Sequence, residues 1–167
     1  MAKAKKQVQI LIKWNEDEWG TALGEAQSLT AACENASDNL VDVLLKRSRK
    51  FVELETHAKK NNQKDKLPDI YDSFGAPDAF TKSMWRSIGD PAANDALARQ
   101  KSHLPASQEA LKTLARHHKK LPDLIASKKL TRSSSVSDVR GAVGEGQPNP
   151  KKKENEVRVI GVAELLG

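Results

Sequence analysis

The chain has 167 residues and a mass of 18.4 kDa, which is enough for one domain whose core needs neither disulfides nor metals. Charged residues make up 30% of it and hydrophobic residues 38%, and no apolar run approaches the roughly 20 residues that span a bilayer. The single cysteine, Cys33, excludes an internal disulfide. These features predict a cytoplasmic protein, in the host bacterium if it is encoded by a phage, with no membrane contact.

Positive charge is concentrated in the middle of the chain. Residues 46–140 carry 20 basic and 11 acidic side chains, a net charge of +9, whereas residues 1–45 sum to −3 and residues 141–167 to zero. A block of this sign attracts polyanions, and nucleic acid is the commonest of them. The alternative is a lysine-rich surface that is simply solvated.

The two ends of the chain show the alternation of a β-strand. Apolar and polar residues alternate over residues 7–14 and again over residues 156–162. We therefore expect an N-terminal strand within residues 1–15 and a C-terminal strand within residues 156–167. They form a small β-ribbon, either with each other or between two chains of a homodimer.

Residues 16–130 have the apolar periodicity of helices and are predicted to form one helical domain. The expected helices run from Glu16 to about Cys33, from a cap at Ser37 to about Asn61, from Leu67 to Phe74, from Asp78 to about Ile88, from Ala92 to Gln100, from Gln108 to about Lys119, and over a short stretch from Leu121. Trp14 and Trp19 are expected to pack together where the first strand meets the first helix. Residues 131–155 are rich in Ser, Gly, Pro, Lys and Glu and predict a flexible linker that can hold one helical turn around residues 136–143.

Residues 67–88 have the pattern of a helix-turn-helix. A short helix ends at Gly75, which can adopt the positive φ of a tight turn. In the second helix Phe80, Met84 and Ile88 recur every four residues and are expected to face the first helix. The outward residues would then be Thr81, Lys82, Trp85 and Arg86. Hydroxyl and cationic side chains on such a face suit the major groove of DNA, whereas the alternative is an ordinary helical hairpin with a wet face.

The segment Phe74–Ile88 resembles the helix-turn-helix stretch of a family of phage and plasmid proteins of unknown function. His103–Ala115 is similar to the helix opened by a Leu-Pro phrase in that family, and Ser137–Arg140 is similar to its tail. The similarity covers about residues 66–141. Its helix-turn-helix segment resembles the helical DNA-binding part of partition and KorB-like repressors. Pro77 stands where the family usually has Ser or Thr, and Trp85 follows Met84 rather than preceding it. The resemblance implies DNA binding.

The sequence therefore predicts a mostly α-helical bundle that contains a helix-turn-helix. Its function is expected to be non-enzymatic binding of double-stranded DNA by a phage or mobile-element protein, as a regulator or as a replication or partition accessory. No pattern of residues indicates a cofactor, a metal site or a catalytic group. The alternative is a module that binds and inhibits a host protein. The residues expected to contact DNA are Thr81, Lys82, Trp85 and Arg86 in the groove, and Lys46, Arg47, Arg49, Lys50, Lys112, Arg116, Lys119 and Lys120 on phosphates.

Overall fold

A computed structural model describes residues 10–35 and 39–145, and this part of the chain is mostly helical. Its eight α-helices are α1 (Glu16–Asn35), α2 (Leu40–Lys60), α3 (Leu67–Ser73), α4 (Ala79–Gly89), α5 (Pro91–Arg99), α6 (Gln108–Arg116), α7 (Leu121–Ala126) and α8 (Val136–Val143). Short 3-10 turns occupy Lys64–Lys66, Lys101–His103 and His118–Lys120. The seven helices predicted from periodicity are confirmed to within a few residues, while the expected cap Ser37 lies outside the described residues.

Polar caps explain where several helices begin. The side chains of Asp78, Asp90 and Ser107 accept a hydrogen bond from the backbone N–H of the third residue of α4, α5 and α6, respectively. Proline stands in the first turn of α3, α5 and α7, where its missing N–H costs nothing. These signals are local, which is why the sequence alone located the helices.

The core is organised around α2. This helix packs against α1, α3, α4 and α5, and α6 packs in turn against α4, α5 and α8. The largest fully buried side chains of the core are Trp19, Phe51, Phe74 and Trp85. Aliphatic residues supply most of the rest, as the small number of aromatic residues requires. Among the described residues no helix is long and apolar enough to cross a membrane.

The N-terminal strand is not found in the residues that can be described. Residues 10–15 belong to no strand. The side-chain amides of Asn61 and Gln63, which follow the end of α2, bind the backbone of this segment instead. The N–H of Ile12 donates to Asn61 Oδ1 at 2.7 Å, the N–H of Trp14 donates to Gln63 Oε1 at 3.0 Å, and Gln63 Nε2 donates to the carbonyl of Trp14 at 2.7 Å. The predicted strand is therefore wrong for residues 10–14. The rest of the predicted β-ribbon lies outside the described residues.

Aromatic contacts hold residues 10–15 against the helices. The ring centroids of Trp14 and Trp19 lie 4.9 Å apart, and the ring of His57 stacks on Trp14 at 3.8 Å. Burial lowers the pKa of His57, against a smaller opposing effect of Glu18. The predicted packing of the two tryptophans is confirmed.

The predicted linker begins later than expected. Residues 131–145 form a turn and α8, with Val139 and Val143 buried against the bundle. Helix α8 packs on α6 and so extends the helical domain beyond residue 130. Residues 146–155 of the predicted linker lie outside the described part of the chain.

Candidate nucleic-acid interface

The orientation of α4 differs from the one predicted by spacing. Its buried residues are Met84, Trp85, Ile88 and Gly89, while Phe80 is 62% exposed. Gly89 determines this orientation, because a Cβ there would lie 2.0 Å from the carbonyl oxygen of Ser48 in α2. Trp85 lies one turn before Gly89 on the same side of the helix and is buried with it. The prediction that Trp85 faces outward and Phe80 inward is therefore wrong.

Arg47 is also part of the core. Its guanidinium carbon lies 4.5 Å from the centroid of the Trp85 ring, and Arg47 Nη2 donates to the carbonyl of Phe74 at 2.5 Å. Only 7% of Arg47 is exposed. It binds the turn between α3 and α4 and cannot reach a phosphate outside the protein without leaving this position. Trp85 and Arg47 are thus removed from the predicted contact surface.

The other three residues of α2 that were predicted to contact phosphates are paired with carboxylates. Lys46 lies 2.7 Å from Asp42, and Lys50 lies 2.6 Å from Glu25. Arg49 lies 3.1 Å from Asp95 and 3.5 Å from Glu53. Because each cation already has an anionic neighbour, this face of α2 offers little uncompensated positive charge to a polyanion.

Arg86 is engaged in a network around a buried carboxylate. Glu55 is 5% exposed, and it accepts hydrogen bonds from the Arg86 guanidinium and from the Tyr71 hydroxyl, the latter at 2.8 Å. Lys59 adds an ion pair at 3.1 Å. Burial by itself would raise the pKa of Glu55, but the hydrogen bonds from Arg86, Tyr71 and Lys59 outweigh it and lower that pKa to about 2. Arg86 therefore joins α4 to α2, although 44% of its side chain stays exposed.

Thr81 and Lys82 also have partners within the fold. The Thr81 hydroxyl donates to the capping carboxylate of Asp78 at 2.8 Å, and the Thr81 N–H donates to it at the same distance. These bonds lower the pKa of Asp78. The ammonium of Lys82 lies 4.1 Å from the centroid of the Tyr71 ring. Thr81 therefore stabilises the start of α4, and Lys82 contacts Tyr71 of α3. Neither is an unpartnered side chain on the outer side of α4.

Helix α6 carries the cations that lie nearest to the exposed side of α4. Lys112 is only 8% exposed, and its ammonium lies 4.1 Å from the centroid of the Phe80 ring. Arg116 follows one turn later, is exposed, and lines a shallow hollow together with Ser87 and Asp90. Among the described residues no carboxylate oxygen lies within 4 Å of the charged nitrogens of Lys112 or Arg116. The carboxylate of Asp90 instead accepts the N–H of Ala93 at the start of α5.

We call this surface the α4–α6 face and define it by Phe80, Ser83, Ser87, Lys112 and Arg116. It forms because α4 and α6 pack together, with Leu111, Leu114 and Ala115 of α6 buried beneath them. Phe80 is the residue that spacing missed, since a Phe-Met-Ile repeat looks like a core stripe. Gly89, one turn after Trp85, was the signal that could have corrected the orientation of α4.

Positive charge continues from this face along the chain. Residues 116–132 hold six basic side chains and one acidic side chain, a net charge of +5. Lys119 is exposed, and the ammonium of Lys120 donates to the carbonyl of Val143 at 3.1 Å while the residue remains exposed. Lys119 and Lys120 therefore stay available to an external anion.

The histidines at the end of α6 serve the fold. His117 Nε2 lies 2.8 Å from the carboxylate of Glu145, and His118 Nδ1 lies 2.9 Å from the carbonyl of Ala115. Among residues 10–35 and 39–145 no three His, Cys, Asp or Glu side chains are grouped as metal ligands.

Comparison with protein-family models, with curated proteins and with solved structures gave no match. The family resemblance of residues 66–141 accordingly stays a prediction.

Proposed function

We propose that this protein binds DNA without catalysing a reaction and that the phosphate backbone lies along the α4–α6 face. The observation that carries the proposal is the pair Lys112 and Arg116, one turn apart on α6, beside the hydroxyl-bearing side of α4 and without a carboxylate partner among the described residues. Cations in this arrangement neutralise successive phosphates and release counterions. Lys119 and Lys120 extend the contact.

In this proposal α4 faces the groove of a duplex with a different set of side chains from the one spacing predicted. Arg86 remains from the predicted set, while Ser83 and Ser87 take the place of Thr81, Lys82 and Trp85. Hydroxyl groups and a partly exposed guanidinium suit contacts to phosphates and base edges. A role as a regulator or as a replication or partition accessory of a phage or mobile element rests on the family resemblance alone.

The test measures affinity for random duplex DNA as a function of salt. We expect binding of the wild-type protein to weaken steeply between about 50 and 200 mM salt. The double variant Arg116→Gln, Lys119→Gln should flatten the plot of log K against log salt by about two units, since each phosphate contact contributes about one. The matched control is Lys46→Gln, Arg49→Gln, which removes the same charge from residues already paired with carboxylates.

Two outcomes would contradict this proposal. Absence of binding at the low-salt end would exclude DNA as the partner. Equal flattening by the double variant and by its control would show that net charge attracts DNA diffusely and that the α4–α6 face has no special part in it.

A second candidate function is binding to a host protein, and one observation favours it. Ile10, Leu11 and Ile12 are exposed to 83%, 40% and 65%, which is unusual for three consecutive apolar residues. A partner with an apolar surface would cover them, and a second copy of the chain would do so in a homodimer. A pull-down from host lysate with the wild-type protein and with Ile10→Lys, Ile12→Lys tests the host partner, which the variant should no longer capture. Sedimentation equilibrium of the same two proteins tests the homodimer, which the variant should no longer form.

A further inference from the structure

Phe80 is the most exposed aromatic side chain of the bundle. It is 62% exposed although it lies in the first turn of a helix in which Met84, Trp85 and Ile88 are buried. Leaving a phenyl ring in water forfeits the gain of burying it. The ring is held in place, because the ammonium of Lys112 lies 4.1 Å from its centroid.

Lys112 is held equally firmly. The residue is only 8% exposed, so its aliphatic stem is packed against the bundle. Unlike the guanidinium of Arg47, its ammonium keeps contact with solvent beside the Phe80 ring, because it forms no hydrogen bond with the described residues and yet is not one of the side-chain nitrogens that are buried without a partner. No carboxylate oxygen lies within 4 Å of it in the described part of the chain. A cation fixed in this way loses little conformational entropy when it pairs with an anion.

An aromatic face beside an uncompensated cation matches the two chemical parts of one nucleotide. Bases stack on exposed aromatic rings, and cations alongside hold the phosphates of the same strand. In a duplex the faces of the bases are already covered by their neighbours, so only an unpaired strand presents a base to such a ring.

We propose that Phe80 and Lys112 form a nucleotide subsite for single-stranded DNA, in which an unpaired base stacks on the Phe80 ring and Lys112 pairs with the adjoining phosphate. The inference rests on the proposed function and deepens it. Arg116, next along α6, then holds a neighbouring phosphate of the same strand. Stacking of this kind tolerates any base, so binding to the subsite is insensitive to sequence.

The experiment compares one labelled DNA strand of mixed sequence with its duplex. Phe80→Ala should weaken binding of the strand about tenfold and weaken binding of the duplex much less, because a duplex presents no base face to the ring. Phe80→Trp should restore the affinity for the strand, and its added tryptophan emission should be quenched when the strand binds. The matched control is Gln27→Ala, which removes an exposed side chain from α1, on a different surface, and should change neither affinity. Melting temperatures should be the same for all four proteins.

Three other results are possible, and each contradicts a different part of the proposal. If Phe80→Ala binds the strand as wild type does, the subsite is wrong while the proposed function stands. If it loses affinity for strand and duplex alike, Phe80 contacts DNA in general and the preference for an unpaired base is wrong. If the wild-type protein binds neither DNA at low salt, the proposed function fails and the subsite fails with it.

Discussion

At the scale of single residues, the lack of one side chain determines which surface the protein presents. Gly89 lets the backbone of α4 lie against Ser48 and Val52 of α2, where a Cβ would come within 2.0 Å of an oxygen and 2.7 Å of a methyl carbon. This contact buries Trp85 and turns Phe80 outward. Any side chain at position 89 would force the two helices apart or rotate α4.

Gly89→Ala should therefore destabilise the protein, although alanine normally favours a helix. We expect a loss of about 1–3 kcal/mol in the free energy of unfolding, because the Ser48 backbone and the packed Val52 methyl group cannot move aside without disturbing the core. Gly24→Ala in α1 is the matched control, since nothing lies within 4 Å of its added methyl group. It should stabilise by about 0.5–1 kcal/mol. Urea unfolding measures both, and similar effects in the two variants would contradict the close approach of α4 and α2.

At the scale of elements, α8 shows that a packed helix can lie inside a segment whose composition predicts a linker. Val139 and Val143 are buried in it, and Val136 and Ala142 are partly buried against the core. Both of its ends are also well specified. Ser135 and Asp138 form a reciprocal capping box, and Gly144 ends the helix with a φ of 88°. The ion pair of Arg140 with Glu109 holds it on α6, and the bond from Lys120 to Val143 holds it on the 3-10 turn His118–Lys120.

Val139→Ala tests whether α8 belongs to the folded domain. The variant should lose about 1–3 kcal/mol of stability, because Val139 is completely buried and its removed methyl groups leave a cavity. Ser137→Ala on the exposed side of α8 is the control and should change stability by no more than about 0.5 kcal/mol. Thermal unfolding followed by circular dichroism compares them. An unchanged melting temperature for Val139→Ala would return residues 131–145 to the linker.

At the scale of the whole molecule, one buried carboxylate connects three helices. Glu55 of α2 binds Tyr71 of α3 and Arg86 of α4, so its charged form is favoured only when these helices are assembled. Its pKa is about 2 in the fold, against 4.5 for an ordinary glutamate. Since the folded-state pKa is the lower one, the stabilisation is complete above about pH 4.5 and is lost as the pH falls toward 2.

The predicted loss is roughly 3 kcal/mol over that interval, from a difference of 2.5 between the two pKa values. Glu55→Gln should be less stable than wild type at neutral pH and should lose less stability on acidification. Glu53→Gln, which removes an exposed carboxylate from the same helix, should follow the wild-type pH profile. Urea unfolding at a series of pH values provides the comparison. Parallel profiles for Glu55→Gln and wild type would show that Glu55 does not connect the helices.

The positions of the helices follow from local signals in the chain, because caps such as Asp78 and Ser107, prolines in first turns and apolar spacing act within a few residues of one another. The excess of positive charge is also visible in the sequence. Which cations are neutralised depends on the packing of the helices: Lys46 and Lys50 contact carboxylates, whereas Lys112 contacts the ring of Phe80. That packing likewise decides the orientation of α4, through the approach of Gly89 to Ser48. Pairing and orientation depend on residues distant along the chain, and helical periodicity carries no information about those distances.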